Sequence, residues 1–156
     1  VYEKMKKEYI VNFQNVTVEN WGAKRPDVPF FCQYYEENGK HMAKLVVNSG
    51  YDFSGFDAII KAGYEYKYFA EKRIEDYIKH EIVHILTGQD IESVEDFNAF
   101  FEEVKDLYVP GVSGYSDEAQ NGFETLAEAY VKIKNGEDVP EKAKEYVDRY
   151  IERWKR

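Results

Sequence analysis

Apolar positions recur every three or four residues through the second half of the chain, whereas in the first half they alternate or run together. Residues 73–88 carry the clearest helical pattern: Ile74, Ile78, Ile82, Ile85 and Leu86 form one apolar stripe, and Gly88 marks the stop. Residues 93–107 repeat the pattern with Phe97, Phe100, Phe101, Val104 and Leu107. Ser93 is placed to cap that helix and Val109-Pro110-Gly111 to end it. A third helix is expected over 121–135, burying Phe123, Leu126, Ala127, Tyr130 and Val131 and stopping at Gly136. A fourth, opened by Pro140, turns Ala143, Tyr146, Val147, Tyr150, Ile151 and Trp154 inward. Between the second and third, residues 111–122 read as a polar, glycine-rich loop carrying Tyr115.

The first half reads differently. Phe30-Phe31-Cys32-Gln33-Tyr34-Tyr35 and His41-Met42-Ala43-Lys44-Leu45-Val46-Val47 flank Asn38-Gly39, a pair favoured in two-residue hairpin turns, so two antiparallel strands are expected. Asn48-Ser49-Gly50 ends the second strand, and a short helix over 55–62 leads to an aromatic loop ending at Phe69. Residues 1–20 are ambiguous, with a helical face at Tyr2, Met5 and Tyr9 and a strand-like Val16-Thr17-Val18. These elements make an α+β chain of one domain, 1–156, with a sheet-containing part at 1–70 and a helical part at 71–156.

Composition narrows the classes. Hydrophobic content of 44% with 17% aromatic residues argues for a packed core in spite of a net charge of −9. That acidity excludes binding to a phosphate backbone, since basic residues cluster only at 4–7 and 153–156. No apolar run approaches membrane-spanning length and no signal-type core follows Val1, so neither a membrane nor export is expected; the cytoplasm or a virion is favoured. A chain beginning at Val1 is compatible with a piece of a longer polypeptide. The single cysteine, Cys32, lies in an apolar stretch and reads as a packed thiol.

Chemistry concentrates in the first of the helices. Residues four apart share a helix face, so His80 and His84 can turn two imidazoles toward one metal ion with Glu81 beside them, in an H-E-x-x-H pattern. The competing view is two helix histidines satisfied by hydrogen bonds. A catalytic zinc takes three protein ligands, and Thr87 and Asp90 stand where an extended pattern would need Gly and His. Asp90 is a minor candidate. Glu124 and Glu128, four apart among apolar neighbours, are better ones, against the alternative of solvated glutamates. His41 has no ligand-spaced companion and reads as a packing or surface residue.

His80-Glu81-x-x-His84, then Tyr115, then Glu124-x-x-Ala127-Glu128-Ala129-Tyr130 resembles the gluzincin pattern of the anthrax lethal factor catalytic domain and of Pro-Pro endopeptidases. It is also similar to the lethal-factor-like C-terminal domains of some phage minor head (head morphogenesis) proteins. The resemblance covers roughly residues 51–156. It implies a zincin-like fold, a small sheet lobe packed on the active-site helix with a helical C-terminal lobe, and a zinc metalloendopeptidase acting on peptide or protein substrates. It implies Zn2+ held by His80, His84 and Glu124, Glu128 orienting a histidine from behind, Glu81 as general base and Tyr115 as stabiliser of the transition state. The interval from Tyr115 to Glu124 is about two residues longer than the family's. Such enzymes commonly add substrate to a sheet edge, and residues 44–48 are the segment expected to offer it. Two other readings stay open: a phage-derived structural or assembly module that keeps zinc as a staple, and a toxin-type effector with the same chemistry. Glu81, of no use to a structural zinc, favours the enzyme.

Overall fold

A computed structural model describes residues 1–12 and 15–156; residues 13 and 14, inside the ambiguous stretch 1–20, lie outside the described residues. The described chain is α+β, with helices α1 (Tyr2–Glu8), α2 (Phe56–Glu65), α3 (Ile74–Thr87), α4 (Val94–Lys105), α5 (Gly114–Ala119), α6 (Gly122–Lys134) and α7 (Glu141–Tyr150). Its strands are β1 (Val16–Glu19), β2 (Phe30–Glu37) and β3 (Lys40–Asn48). For the N-terminal stretch, Tyr2 and Met5 lie on α1 and Val16 opens a strand, whereas Tyr9 stands just past the helix in extended backbone bridged to Lys155. Among the described residues no helix is long and apolar enough to cross a membrane.

The hairpin forms as its turn residues require: Asn38 (φ 51°) and Gly39 (φ 76°) are both left-handed, the geometry that two-residue turns between twisted strands demand. Sheet order, however, is β1-β3-β2, with β1 parallel and β2 antiparallel to β3. Residues 44–48 therefore lie in the central strand, hydrogen-bonded on both sides, and cannot offer an edge. Both outer strands leave an edge, and the one beside α3 belongs to β2. Asn48 donates to the Pro29 carbonyl at 2.8 Å, and ladder bonds in an antiparallel pair alternate along the strand. The backbone groups of Phe30, Cys32, Tyr34 and Glu36 thus face away from β3.

Helix ends follow local chemistry. Ser93 caps α4 by accepting from Asp96 N, and Asn121 caps α6 by accepting from Phe123 N. Helix α4 stops at Lys105, short of the expected Leu107, and the 111–122 segment is not all loop. Ser113 accepts from Ser116 N and starts the six-residue α5. Gly122 is needed for close approach, since a Cβ there would overlap the Val104 carbonyl oxygen where α6 starts against the end of α4.

The main core joins Met5 and Tyr9 to Ile82, Val83, Ile85 and Leu86 of α3, and to Leu126, Ala127, Tyr130 and Val131 of α6. Val147 and Ile151 close it. Helices α3 and α6 are thus packed together through their apolar stripes, and the opposite side of α3 is left to meet the edge strand. Tyr34 fastens that meeting by donating from its hydroxyl to the His84 carbonyl at 2.8 Å. A smaller cluster of Phe30, Phe56 and Ile60 packs α2 beneath the start of β2.

Candidate metal centre

Helical spacing sets the first half of the site. His80 and His84 stack one turn apart on α3, ring centroids 4.8 Å apart, with Glu81 between them, and all three are buried. The second half comes from α6, whose Glu124 Oε2 lies 2.9 Å from His80 Nε2 and 3.5 Å from His84 Nε2. One carboxylate oxygen thus meets both imidazoles at hydrogen-bond or ion-pair distance. Ligating atoms of His80, Glu81 and His84 also lie within 4.8 Å of one another.

The far side of His80 is as polar as the near one. Its Nδ1 lies 2.9 Å from Glu128 Oε1 and 2.7 Å from Glu71 Oε1. Glu128, fully buried, also accepts the Ala70 N–H on Oε2 at 2.9 Å, which ties the segment before α3 to α6. Glu71, His80 and Glu128 form a second group whose ligating atoms lie within 4.8 Å. Two buried carboxyls so close cannot both keep a charge. Burial, and then the Glu128 charge, push Glu71 up to about 8. Burial would raise Glu128 too, but hydrogen bonds with His80 and Glu71 hold it down.

The donor set asks for a cation. Burial would strip His80 of its proton, yet hydrogen bonds to Glu124, Glu128 and Glu71 raise its pKa well above the imidazole range. Glu124 is held well below the usual carboxylate range by His84 and His80, against the raising effect of its burial. Glu81 is raised, chiefly by burial, with His80 and His84 moderating the shift. Four carboxyls round two imidazoles are stabilised by a proton on His80 or by a metal ion on the Nε2 side, and these two exclude each other. Comparison with protein-family models, with curated proteins and with solved structures finds no match.

Glu81 is oriented by the sheet, its Oε2 accepting the outward-facing N–H of Cys32 at 2.9 Å. A cavity of about 280 Å³ opens here between the β2 edge and the helices, lined by Cys32, Glu81, His84, Tyr115, Phe123 and Glu124. Tyr115 sits on α5 rather than in a loop, half-buried, its ring centroid 6.1 Å from that of His80. It lines this cavity and a second of about 240 Å³ that also reaches Glu71 and His80. Burial, and then the Glu124 charge, keep its phenol protonated.

Asp90 is not in the site: it pairs with Arg153 at 3.1 Å on the surface. His41 stacks on Phe97 with ring centroids 3.4 Å apart and serves packing. The Cys32 thiol, raised by burial and by the Glu81 charge, is no thiolate nucleophile. The residue missed by sequence reasoning is Glu71. It stands nine positions before His80, outside the helix, where an acid beside Lys72 looks like any solvated one.

Proposed function

We propose that the protein is a zinc-dependent endopeptidase of gluzincin type on a zincin-like domain, with zinc held by His80, His84 and Glu124. The observation that carries this reading is the convergence of both Nε2 atoms on Glu124 Oε2, with Glu81 alongside at the mouth of a cavity bordered by a strand edge. Zinc bound there would supply a Lewis acid and a water that ionises near neutral pH. Glu81, with one oxygen engaged by Cys32 N–H, takes the proton of the attacking water on its other oxygen and returns it to the leaving amine. The raised pKa of Glu81 suits a group that must hold a proton between these two steps. Tyr115 donates its phenolic hydrogen to the oxyanion. Glu128 fixes the tautomer of His80 by accepting from Nδ1, which leaves Nε2 free to ligate. An extended peptide added along the β2 edge would pass Glu81 at Cys32.

Replacing Glu81 by Gln keeps size and removes the base. The variant is expected to hold zinc and fold normally while peptide hydrolysis falls about 10²–10⁴-fold. Equal hydrolysis by both proteins would end this mechanism, and zinc retained by both with no cleavage of any peptide would favour the structural-module reading. Tyr115→Phe should cost about 2–4 kcal/mol in transition-state stabilisation, read in kcat, with thermal stability nearly unchanged. Lost stability with normal turnover would make Tyr115 a packing residue.

A further inference from the structure

The cavity over Glu81 is acidic at its centre, with Glu81 and Glu124 in its wall, and the chain carries a net charge of −9. One cationic side chain of the Lys or Arg type borders it, Arg25, in the segment between β1 and β2. Among the described residues Arg25 forms no ion pair, although Glu81 and Glu124 line the same cavity.

Arg25 is exposed, but its guanidinium has a platform. It lies over the Phe31 ring, 4.3 Å from the centroid, and Trp21 meets the same ring edge-on at 5.3 Å. Its backbone is pinned from inside the fold. The Arg25 N–H donates to the Trp21 carbonyl at 2.7 Å. The Arg25 carbonyl accepts from Asn48 Nδ2 at 2.9 Å, and Asn48 is fully buried and also accepts the Trp21 N–H. A buried asparagine and an aromatic platform thus hold an unpaired, planar cation beside the start of the β2 edge. Such a guanidinium suits a carboxylate, which it can meet with two parallel hydrogen bonds.

The opposite end of the cleft has other chemistry. Tyr34 and Phe101 also line a separate cavity of about 370 Å³, together with Tyr35, Glu36, His41, Val94 and Phe97. Apolar side chains fit there, and Glu36 repels acids.

We propose that Arg25 reads a carboxylate on the substrate: an extended peptide lies along β2 with an acidic side chain or its own C-terminal carboxylate at Arg25, and an apolar or aromatic side chain in the groove of Phe97 and Phe101. This rests on the peptidase reading for its substrate type, so the test must fail separately from that reading.

Zinc-loaded E81Q, which binds without turnover, is applied to an array of extended peptides varied one position at a time, each made as free acid and as amide. E81Q/R25Q and E81Q/R25E are run in parallel. The expected result is enrichment of Asp and Glu at one fixed distance from an apolar residue. R25Q should lower the ratio of acidic to alanine-substituted binding about tenfold, and R25E should turn the preference to Lys and Arg. Enrichment in the amides identifies a side-chain carboxylate, and enrichment in the free acids alone identifies the chain terminus. Binding without acidic preference, a preference untouched by R25E, or no binding to any peptide overturns the proposal. Cleavage by the unsubstituted protein is measured on the same peptides. Cleavage without acidic preference sinks the Arg25 assignment and leaves the peptidase, whereas selective, Arg25-dependent binding without cleavage does the reverse.

Discussion

The two faces of the His80 imidazole meet similar groups in different surroundings. On the Nε2 face, Glu124 keeps 20% of its side-chain surface exposed and shares its oxygen with His84 at the wall of a cavity. On the Nδ1 face, Glu71 and Glu128 are at most 2% exposed, and Glu128 is further tied to a backbone N–H. The open face can be reached by an ion or by water. The Nδ1 face is the more buried of the two, although a cavity of about 240 Å³ reaches it, and its two carboxyls lie close enough to compete for one proton. One histidine therefore separates a more open side from a more buried one, and identical side chains do different work on each.

Removing the open-face partner should have the largest effect. Glu124→Ala is expected to lower zinc affinity a hundredfold or more, measured by competition with a chromophoric chelator, while Asp90→Ala leaves it unchanged. If the Asp90 variant loses zinc and the Glu124 variant does not, the two faces have been assigned wrongly.

On the Nδ1 face the two carboxyls should separate. Glu128→Gln deletes the charge that holds the Nδ1 hydrogen and should lower zinc affinity about 10–100-fold. Glu71 already favours its neutral form, which Gln imitates, so Glu71→Gln should change affinity by less than about threefold. Equal losses in both would show that the proton is not held on Glu71.

A pH dependence tests the same proton, and the sign of the Glu71 contribution follows from its raised pKa. Its folded pKa, about 8, lies above the ordinary value of 4.5, so the folded state binds the proton more tightly than the unfolded state. The stabilisation is complete below pH 4.5 and is lost as pH rises through 8. Urea denaturation in the presence of a chelator, at pH 5, 7 and 9, should show Glu71→Gln losing less stability over this range than the parent protein. Parallel curves would mean that Glu71 does not carry the proton.

Whatever rests on neighbours within a turn or two of chain was legible beforehand. The histidine pair on α3, the Asn38-Gly39 turn, the cap at Ser93 and the acid pair on α6 all follow from spacing, capping and left-handed backbone, which are local properties. The six-residue α5 escaped because so short a helix has no full apolar period, and only Ser113 marked its start. Sheet order escaped for another reason: β1 joins β3 in parallel across the intervening β2, and nothing in either strand encodes that choice of neighbour. It decides which strands lie at the edges. Glu71 depends on the same kind of distant information. Its burial follows from α3 packing on α6, which brings Ala70 against Glu128 across 58 positions of sequence. The sequence by itself marked His80, Glu81, His84 and the acid pair on α6 as candidate ligands; tertiary packing added Glu71 and decided which of them face water, which lose it, and which strand edge runs past them, because burial and strand neighbours depend on the whole chain.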